Sequence, residues 1–383
     1  MKTMPKTLLV TNDFPPVIGG IESYLRDFVS LLDPNEIIVF APTRDKTACE
    51  SYDAQLQYPV IRWPHRLLLP TPRAAKKLRE IIRTHDIDTV WFGAAAPLAL
   101  LAKTAKKAGA KKVISTTHGH EVGWSMIPGA RQALRVIGNN SDVLTYISSY
   151  TRRRLARPFG SNPRWVHLPS GVNADNFSVA SPDRQAAAKQ DFGISPDAPT
   201  IVCISRFVPR KGQDKLLRAF PVLRKKFPDL QLILVGRGRS YRRLERLRQK
   251  YAPDALLLDN TDYQKNRVRV NDAFAAADIF AMPARTRAGG LSVEGLGIVY
   301  LEAQACGIPV VAGSSGGAPE TITDATGLVV NGHRVSSLVR GLETLLADAQ
   351  LRSEMGAAGR EHVVKNWNWD LMGARLQKEL REI

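Results

Sequence analysis

GGLSVEGLGIVYLEAQACGIPVVAGSSGGAPE, residues 289–320, sets two carboxylates, Glu294 and Glu302, eight positions apart around a glycine-broken helix start. Gly295 and Gly297 are costly inside a regular helix, so the helix is predicted to begin near Ile298 and end at Gly307, a residue suited to a C-cap. Glu294 then falls on the loop before the helix and Glu302 on the helix itself. The N–H groups of Gly297, Ile298, Val299 and Tyr300 have no partner within the helix, which makes its start a natural anion site. Carboxylates on either side of a phosphate site can accept hydrogen bonds from sugar hydroxyls, so the constellation reads as a nucleotide-sugar pocket. An isolated glutamate pair at this spacing would be an exposed helix residue beside loop glycines. The flanking glycines and the apolar run IPVVAG (308–313) argue for the pocket instead.

Around this stretch, apolar β-type runs alternate with helical patterns along all 383 residues, as in α/β domains with parallel sheets. The first series has strands at 7–11, 37–41, 88–92, 112–117 and 143–147, with helices at 21–32, 72–84, 96–108 and 148–157. The polar, turn-rich segment PSGVNADNF (169–177) closes it and reads as a linker. A second series has strands at 200–205, 230–236, 255–259, 277–283 and 308–313, helices at 213–226 and 240–250, the glutamate-bearing helix, and helices after 335. Two doubly wound, Rossmann-like domains follow, with ligands expected at the C-terminal ends of the strands.

Composition narrows the class. A hydrophobic share of 44% and a charged share of 23% are those of an ordinary globular protein. Cys49, Cys203 and Cys306 are odd in number and widely spaced, which argues for a reducing compartment and against a disulfide or zinc framework. No apolar run is long enough for a signal peptide or a membrane span, so a cytoplasmic location is expected. The net charge of +18 favours anionic partners, whether nucleic acid, membrane or phosphorylated substrate. Residues 1–170 carry 24 Lys+Arg against 13 Asp+Glu, so the excess is densest there. No aromatic interleaving or nucleic-acid recognition module accompanies it, and no nucleic-acid partner is expected.

Other candidate site residues lie at strand ends. Gly19 and Gly20, after the first strand, would let backbone approach a phosphate. His118 and His120, in HGHE, share a face and could bind zinc, but no third ligand is evident. Arg206 and Lys211, in SRFVPRKGQDKLL, stand between a buried strand and a helix opening at Gly212, where a diphosphate would need countercharge; a solvated basic loop is the plain alternative. Gly236 and Gly238 follow a strand, and Asp259 ends the next. That spacing is close to the dinucleotide fingerprint, although Tyr241 occupies the third small-residue position, so an NAD-type oxidoreductase stands as an alternative.

These residues, together with ARTRAGG before the glutamate run, GSSGGAPET after it, and TNDFPPVIGGIESYL and TTHGHEVGW in the first half, resemble the retaining glycosyltransferases of family 4, over essentially the whole chain. The likeness is to the actinobacterial phosphatidylinositol mannoside branch. It implies a GT-B architecture: residues 1–170 plus a C-terminal helix at about 367–383 as acceptor domain, 171–366 as nucleotide-sugar domain, and a cleft between. It implies mannose transfer from GDP-mannose to a phosphatidylinositol monomannoside through an α-1,6 linkage. A different nucleotide sugar or a glucuronosyl diacylglycerol acceptor is the alternative.

The resemblance places Gly19 and Gly20 at the donor diphosphate and His118 at the donor sugar. It has Arg206 and Lys211 neutralise the leaving group in place of a metal, Glu294 hold the sugar hydroxyls and Glu302 bind the ribose, so no cofactor and no metal are expected. Asp13 would position the acceptor hydroxyl, or else be an Asx-turn residue. Family members often carry glycine near position 259, where Asp259 stands, and this leaves the base open. A lipid acceptor also gives the basic helix at 73–83 a role in peripheral docking on the inner face of the plasma membrane. The plain alternative there is a core-facing stripe with a solvated cationic back.

Overall fold

A computed structural model of the chain describes residues 5–17, 19–259 and 270–382, so the outermost residues of the expected domains lie outside the described range. The chain divides into two compact units, Met1–Ser170 with Asp370–Ile383, and Gly171–Trp369.

The first unit is built on seven parallel strands: β1 (Thr7–Val10), β2 (Ile37–Pro42), β3 (Val60–Trp63), β4 (Thr89–Phe92), β5 (Lys112–Thr116), β6 (Val143–Tyr146) and β7 (Arg164–His167). Helices cover the sheet, so β1 (TLLV) and β4 (TVWF) are buried at every position and read as unbroken apolar runs. The strand order is β3-β2-β1-β4-β5-β6-β7. It reverses between β1 and β4, which puts a ligand crevice beside the loops after these two strands.

The second unit repeats the plan with β8 (Thr200–Ile204), β9 (Gln231–Gly236), β10 (Leu256–Asp259), β11 (Ile279–Met282), β12 (Val310–Gly313) and β13 (Gly327–Val330). Its order, β10-β9-β8-β11-β12-β13, reverses between β8 and β11. Both units are doubly wound α/β folds, as expected. Three strands, β3, β7 and β13, were not foreseen.

The last helix, Trp369–Arg381, belongs from Asp370 onward to the first unit. It buries Met372, Leu376 and Leu380, and Gly373 packs closely on Leu31. Lys112 donates to the backbone carbonyls of Glu379 and Glu382, while Arg164 Nη1 lies 2.9 Å from the Glu379 carboxylate. These bonds compensate two ions, Lys112 and Glu379, that are otherwise out of water.

The helix Pro72–Thr84 starts at a Thr71 N-cap with proline in its first turn. Its apolar stripe, Ala74, Leu78, Ile81 and Ile82, is wholly buried in the core of the first unit. The exposed back carries Arg73, Lys76, Arg79 and Arg83, with Pro72, Glu80 and Thr84. This corrects any reading in which the helix offers an apolar face to a bilayer.

Candidate active site

In the second unit the loop after β8 carries Arg206, Arg210 and Lys211, and the segment after β11 carries Glu294. These are the two segments that flank the strand-order reversal. Across it, Lys211 Nζ pairs with Glu294 Oε2 at 2.8 Å, and Arg210 Nε stands 3.6 Å from the same oxygen. Both Lys211 and Glu294 are buried. Burial penalises the charged carboxylate, but Lys211 and Arg210 outweigh that penalty and hold the Glu294 pKa below the ordinary carboxylate value.

The backbone around Glu294 depends on glycine. Gly316 has φ +60°, and a Cβ there would lie 1.9 Å from the Glu294 carbonyl oxygen. That carbonyl accepts the Gly317 N–H at 3.0 Å, and the Glu294 N–H donates to Ser315 Oγ at 3.3 Å. The loop after β12 therefore holds Glu294 in place.

The helix Ile298–Ala305 begins where the sequence places it, with Gly297 as N-cap at φ +89°; a Cβ there would meet the Tyr300 ring at 2.6 Å. One detail changes. The Tyr300 N–H donates to the Gly297 carbonyl at 3.0 Å, leaving Gly297, Ile298 and Val299 as the N–H groups for an anion. Glu302 is half-buried, with no hydrogen bond or ion pair to its carboxylate among the described residues. Burial, only partly opposed by Lys211, pushes its pKa up to about 7.

Behind these groups, Arg285 donates to both oxygens of Asp214, at 2.8 and 3.0 Å, and Gln213 Nε2 bonds Ser205 Oγ at 2.7 Å and the Arg206 carbonyl at 3.1 Å. Both contacts tie the β8 loop down. Gly236 ends β9 and Asp259, in register with it, is exposed at the end of β10.

In the first unit, Gly19 caps the helix Gly20–Val29 directly after the β1 loop, and a Cβ on Gly20 would meet nothing within 4 Å. His118, at the end of the β5 strand, has Nε2 2.7 Å from the Gly93 carbonyl. A carbonyl can only accept, so the proton sits on Nε2 and Nδ1 is left as an acceptor. Burial lowers the His118 pKa, which keeps the ring neutral, and Tyr24 meets it edge-on at 4.9 Å. Glu121, fully buried, accepts the backbone N–H groups of His118 and Gly119 at 3.2 and 2.9 Å. His120 is exposed beside Glu121, and no group of three potential ligands that could hold a metal occurs among the described residues.

Among the described residues Asp13 makes no Asx turn. Its N–H donates to Thr11 Oγ1, and its carboxylate faces Arg44 at 3.8 Å, with Glu22 3.6 Å from the same guanidinium.

The family model described as Glycosyltransferase Family 4 matches residues 18–176, and that described as Glycosyl transferases group 1 matches residues 184–362. A Corynebacterium glutamicum protein named GDP-mannose-dependent monoacylated alpha-(1-6)-phosphatidylinositol monomannoside mannosyltransferase is 56% identical over 381 residues, covering 100% of this chain and 99% of its own. The chain belongs to glycosyltransferase family 4. A second relative of this family, the GDP-mannose-dependent alpha-(1-6)-phosphatidylinositol monomannoside mannosyltransferase of Mycolicibacterium smegmatis, is 50% identical over 97% of each chain. Among solved structures, HepE of Anabaena in complex with UDP superposes with a TM-score of 0.81 at 18% identity, over 99% of this chain and 100% of that one. WaaG, a glycosyltransferase involved in lipopolysaccharide biosynthesis, gives 0.70 at 17%, over 98% and 100%. Both share the fold, GT-B.

The same topology corrects the dinucleotide reading. A dinucleotide fingerprint puts its glycines after the first strand of the sheet and its acid at the end of the second. Here Gly236 and Gly238 follow β9, the second strand, and Asp259 ends β10, the third, one position too far from the crevice. What the sequence did not single out as site residues in this family 4 chain are Arg210, Glu121 and the Arg285–Asp214 pair. Arg210 stood in view beside Lys211, and Glu121 closes HGHE only two and three residues from the N–H groups it accepts; the Arg285–Asp214 pair joins segments far apart in the chain.

Proposed function

We propose that the chain is a retaining, metal-independent mannosyltransferase that moves mannose from GDP-mannose onto a phosphatidylinositol monomannoside, forming an α-1,6 linkage. What supports this reading at the site is the Lys211–Glu294 pair, a buried cation and a buried anion each able to exchange its partner for one half of a nucleotide sugar. Lys211 and Arg206 would take the diphosphate, together with the N–H groups of Gly297, Ile298 and Val299, and Glu294 the sugar hydroxyls. Glu302, ionised, would accept the ribose hydroxyls, and Gly236 and Asp259 would lie towards the nucleoside. In the first unit, Gly19, Gly20 and the Nδ1 acceptor of His118 are assigned to the donor, and Asp13 to the acceptor hydroxyl.

In the transfer, the bond from the anomeric carbon to the phosphate oxygen breaks as the acceptor oxygen bonds to that carbon on the same face. The acceptor proton passes to the departing phosphate, so atoms and charge balance without a protein nucleophile.

No described helix is long and apolar enough to cross a membrane. Docking at the inner face of the plasma membrane is part of the proposal. The exposed Leu67 and Leu69 precede the cationic helix Pro72–Thr84, and Asn12 straps this loop to β1 through two bonds to the Leu68 backbone.

Calorimetry with GDP-mannose, UDP-glucose and NADH, each with and without chelator, tests the donor. Selective, chelator-insensitive binding of GDP-mannose is expected. Preference for UDP-glucose would discard the proposed donor, and binding of NADH alone would discard the whole reading.

A further inference from the structure

We propose that Arg210 is a positioning residue for this reaction, holding the charge on Glu294 when Lys211 turns from Glu294 to the donor's diphosphate. The inference rests on the nucleotide-sugar reading above and gives a role to a side chain that the reading leaves unused.

Lys211 is one ammonium with two claims on it, the Glu294 carboxylate at 2.8 Å and the diphosphate it is to neutralise. If it leaves Glu294 alone, a carboxylate that is only 6% exposed loses its nearest counterion, and the favourable response is to take up a proton. A neutral carboxyl group is a poorer acceptor for sugar hydroxyls, so donor binding would disarm the residue that must hold the sugar.

Arg210 is placed to prevent this. Its Nε is buried, 3.6 Å from Glu294 Oε2, and makes no hydrogen bond among the described residues. A small rotation would turn the proximity into a bond. A guanidinium also cannot shed its proton to escape burial, whereas a lysine can. The backbone of Arg210 is held independently of Lys211: its carbonyl accepts the Arg285 N–H at 2.8 Å, and the Arg285 guanidinium is anchored on Asp214 at the head of the helix Gln213–Arg224. The charged or titratable groups that bear on Glu294 are Lys211, Arg210 and Arg206 from the β8 loop and Tyr300 from the following helix. The Tyr300 hydroxyl is engaged at 2.6 Å with the Met282 carbonyl, and Arg206 is the other proposed diphosphate ligand. Arg210 alone of these has no competing task.

Calorimetry of GDP binding near pH 6, in buffers of different ionisation enthalpy, counts the protons taken up on binding and does not depend on turnover. The parent enzyme and the variants Arg210→Gln, Arg210→Lys and the double variant Arg210→Gln/Glu294→Gln are compared, so the contribution of Glu302 is common to all. Arg210→Gln is expected to take up a substantial fraction of one additional proton on binding GDP. The lysine and double variants are expected to lose that excess. In the transfer assay the acid limb of kcat should rise by about one pH unit in Arg210→Gln, and kcat at neutral pH should fall about tenfold. Proton counts and acid limbs equal to the parent's would overturn the inference. So would a GDP affinity lowered about a hundredfold without proton uptake, which would place Arg210 on the diphosphate itself. A folded parent that binds no GDP would remove the nucleotide reading and the inference with it.

Discussion

Lys211 Nζ and Glu294 Oε2 stand 2.8 Å apart, joining the loop after β8 to the segment after β11 where the strand order of the second unit reverses. In a doubly wound sheet that crevice is where a ligand binds, and here it holds a buried pair of opposite charges, which on the proposed function a nucleotide sugar separates. On that proposal the pair acts both on stability and on chemistry, and substitutions of its two members are expected to have different effects.

Glu294→Gln keeps the side-chain volume and removes the charge. GDP binding should be retained, because Lys211 is freed for the diphosphate, while kcat falls about a hundredfold or more with the loss of a fixed acceptor for the sugar. Parallel measurement of kcat and the GDP dissociation constant checks this. Full turnover would contradict the role given to Glu294.

Lys211→Met should weaken GDP binding and also destabilise the enzyme at neutral pH, by less than the roughly 3 kcal/mol of a fully stranded buried charge, because the Glu294 carboxylate loses its nearest counterion and keeps the more distant Arg210. The sign with pH follows from the depressed Glu294 pKa. A carboxylate whose folded pKa lies below its unfolded value contributes stability above the unfolded value and loses it as pH falls through the folded one. The gap between parent and variant should thus be widest near neutral pH and narrow on acidification, as thermal unfolding midpoints at several pH values would show.

Glu302 has the opposite sign. Its folded pKa of about 7 lies above that of an unfolded glutamate, so its burial costs stability that grows as pH rises through the unfolded value and is fully present above about 7. Glu302→Gln should therefore raise the melting temperature at pH 8 by about 2–4 °C and leave it nearly unchanged at pH 4. GDP affinity of the parent should fall as pH drops below 7, whereas the variant should bind weakly and without that dependence. A parallel pH dependence in both would exclude Glu302 as the titrating group.

Glu379→Ala should release the last helix from the first unit. It removes the carboxylate that Arg164 grips and that stands 3.8 Å from the buried Lys112. A loss of about 3 kcal/mol is expected. The fall should appear in thermal unfolding, with GDP affinity of the second unit largely retained.

Most strands that the sequence displayed are buried on both faces and form unbroken apolar runs, as in β1, β4 and β8; β10, a half-buried edge strand, was displayed by its run of three leucines. The missed strands lack that signal. β3 (VIRW) and β7 (RWVH) sit at the two edges of the first sheet, four residues each and only half-buried, with arginine in both. β13 (GLVV) is likewise a short edge strand with an exposed position. The start of the helix at Ile298 was legible because Gly297 marks it locally. The helix at 72–84 was legible as amphipathic, but periodicity cannot say whether a stripe meets a core or a membrane, and Leu78 and Ile82 meet the core. Arg285 and Asp214 were invisible for another reason: seventy-one positions separate them, and only the fold brings them together.

Transfer itself is the decisive measurement. Purified enzyme, radiolabelled GDP-mannose and a phosphatidylinositol monomannoside acceptor are combined in the presence of a chelator, and the anomeric configuration of the lipid product is read by NMR. A dimannoside with a new α-1,6 linkage is expected, formed at the same rate with and without chelator. A β-linked product, or activity that vanishes with the chelator and returns with a divalent cation, would contradict the proposed function.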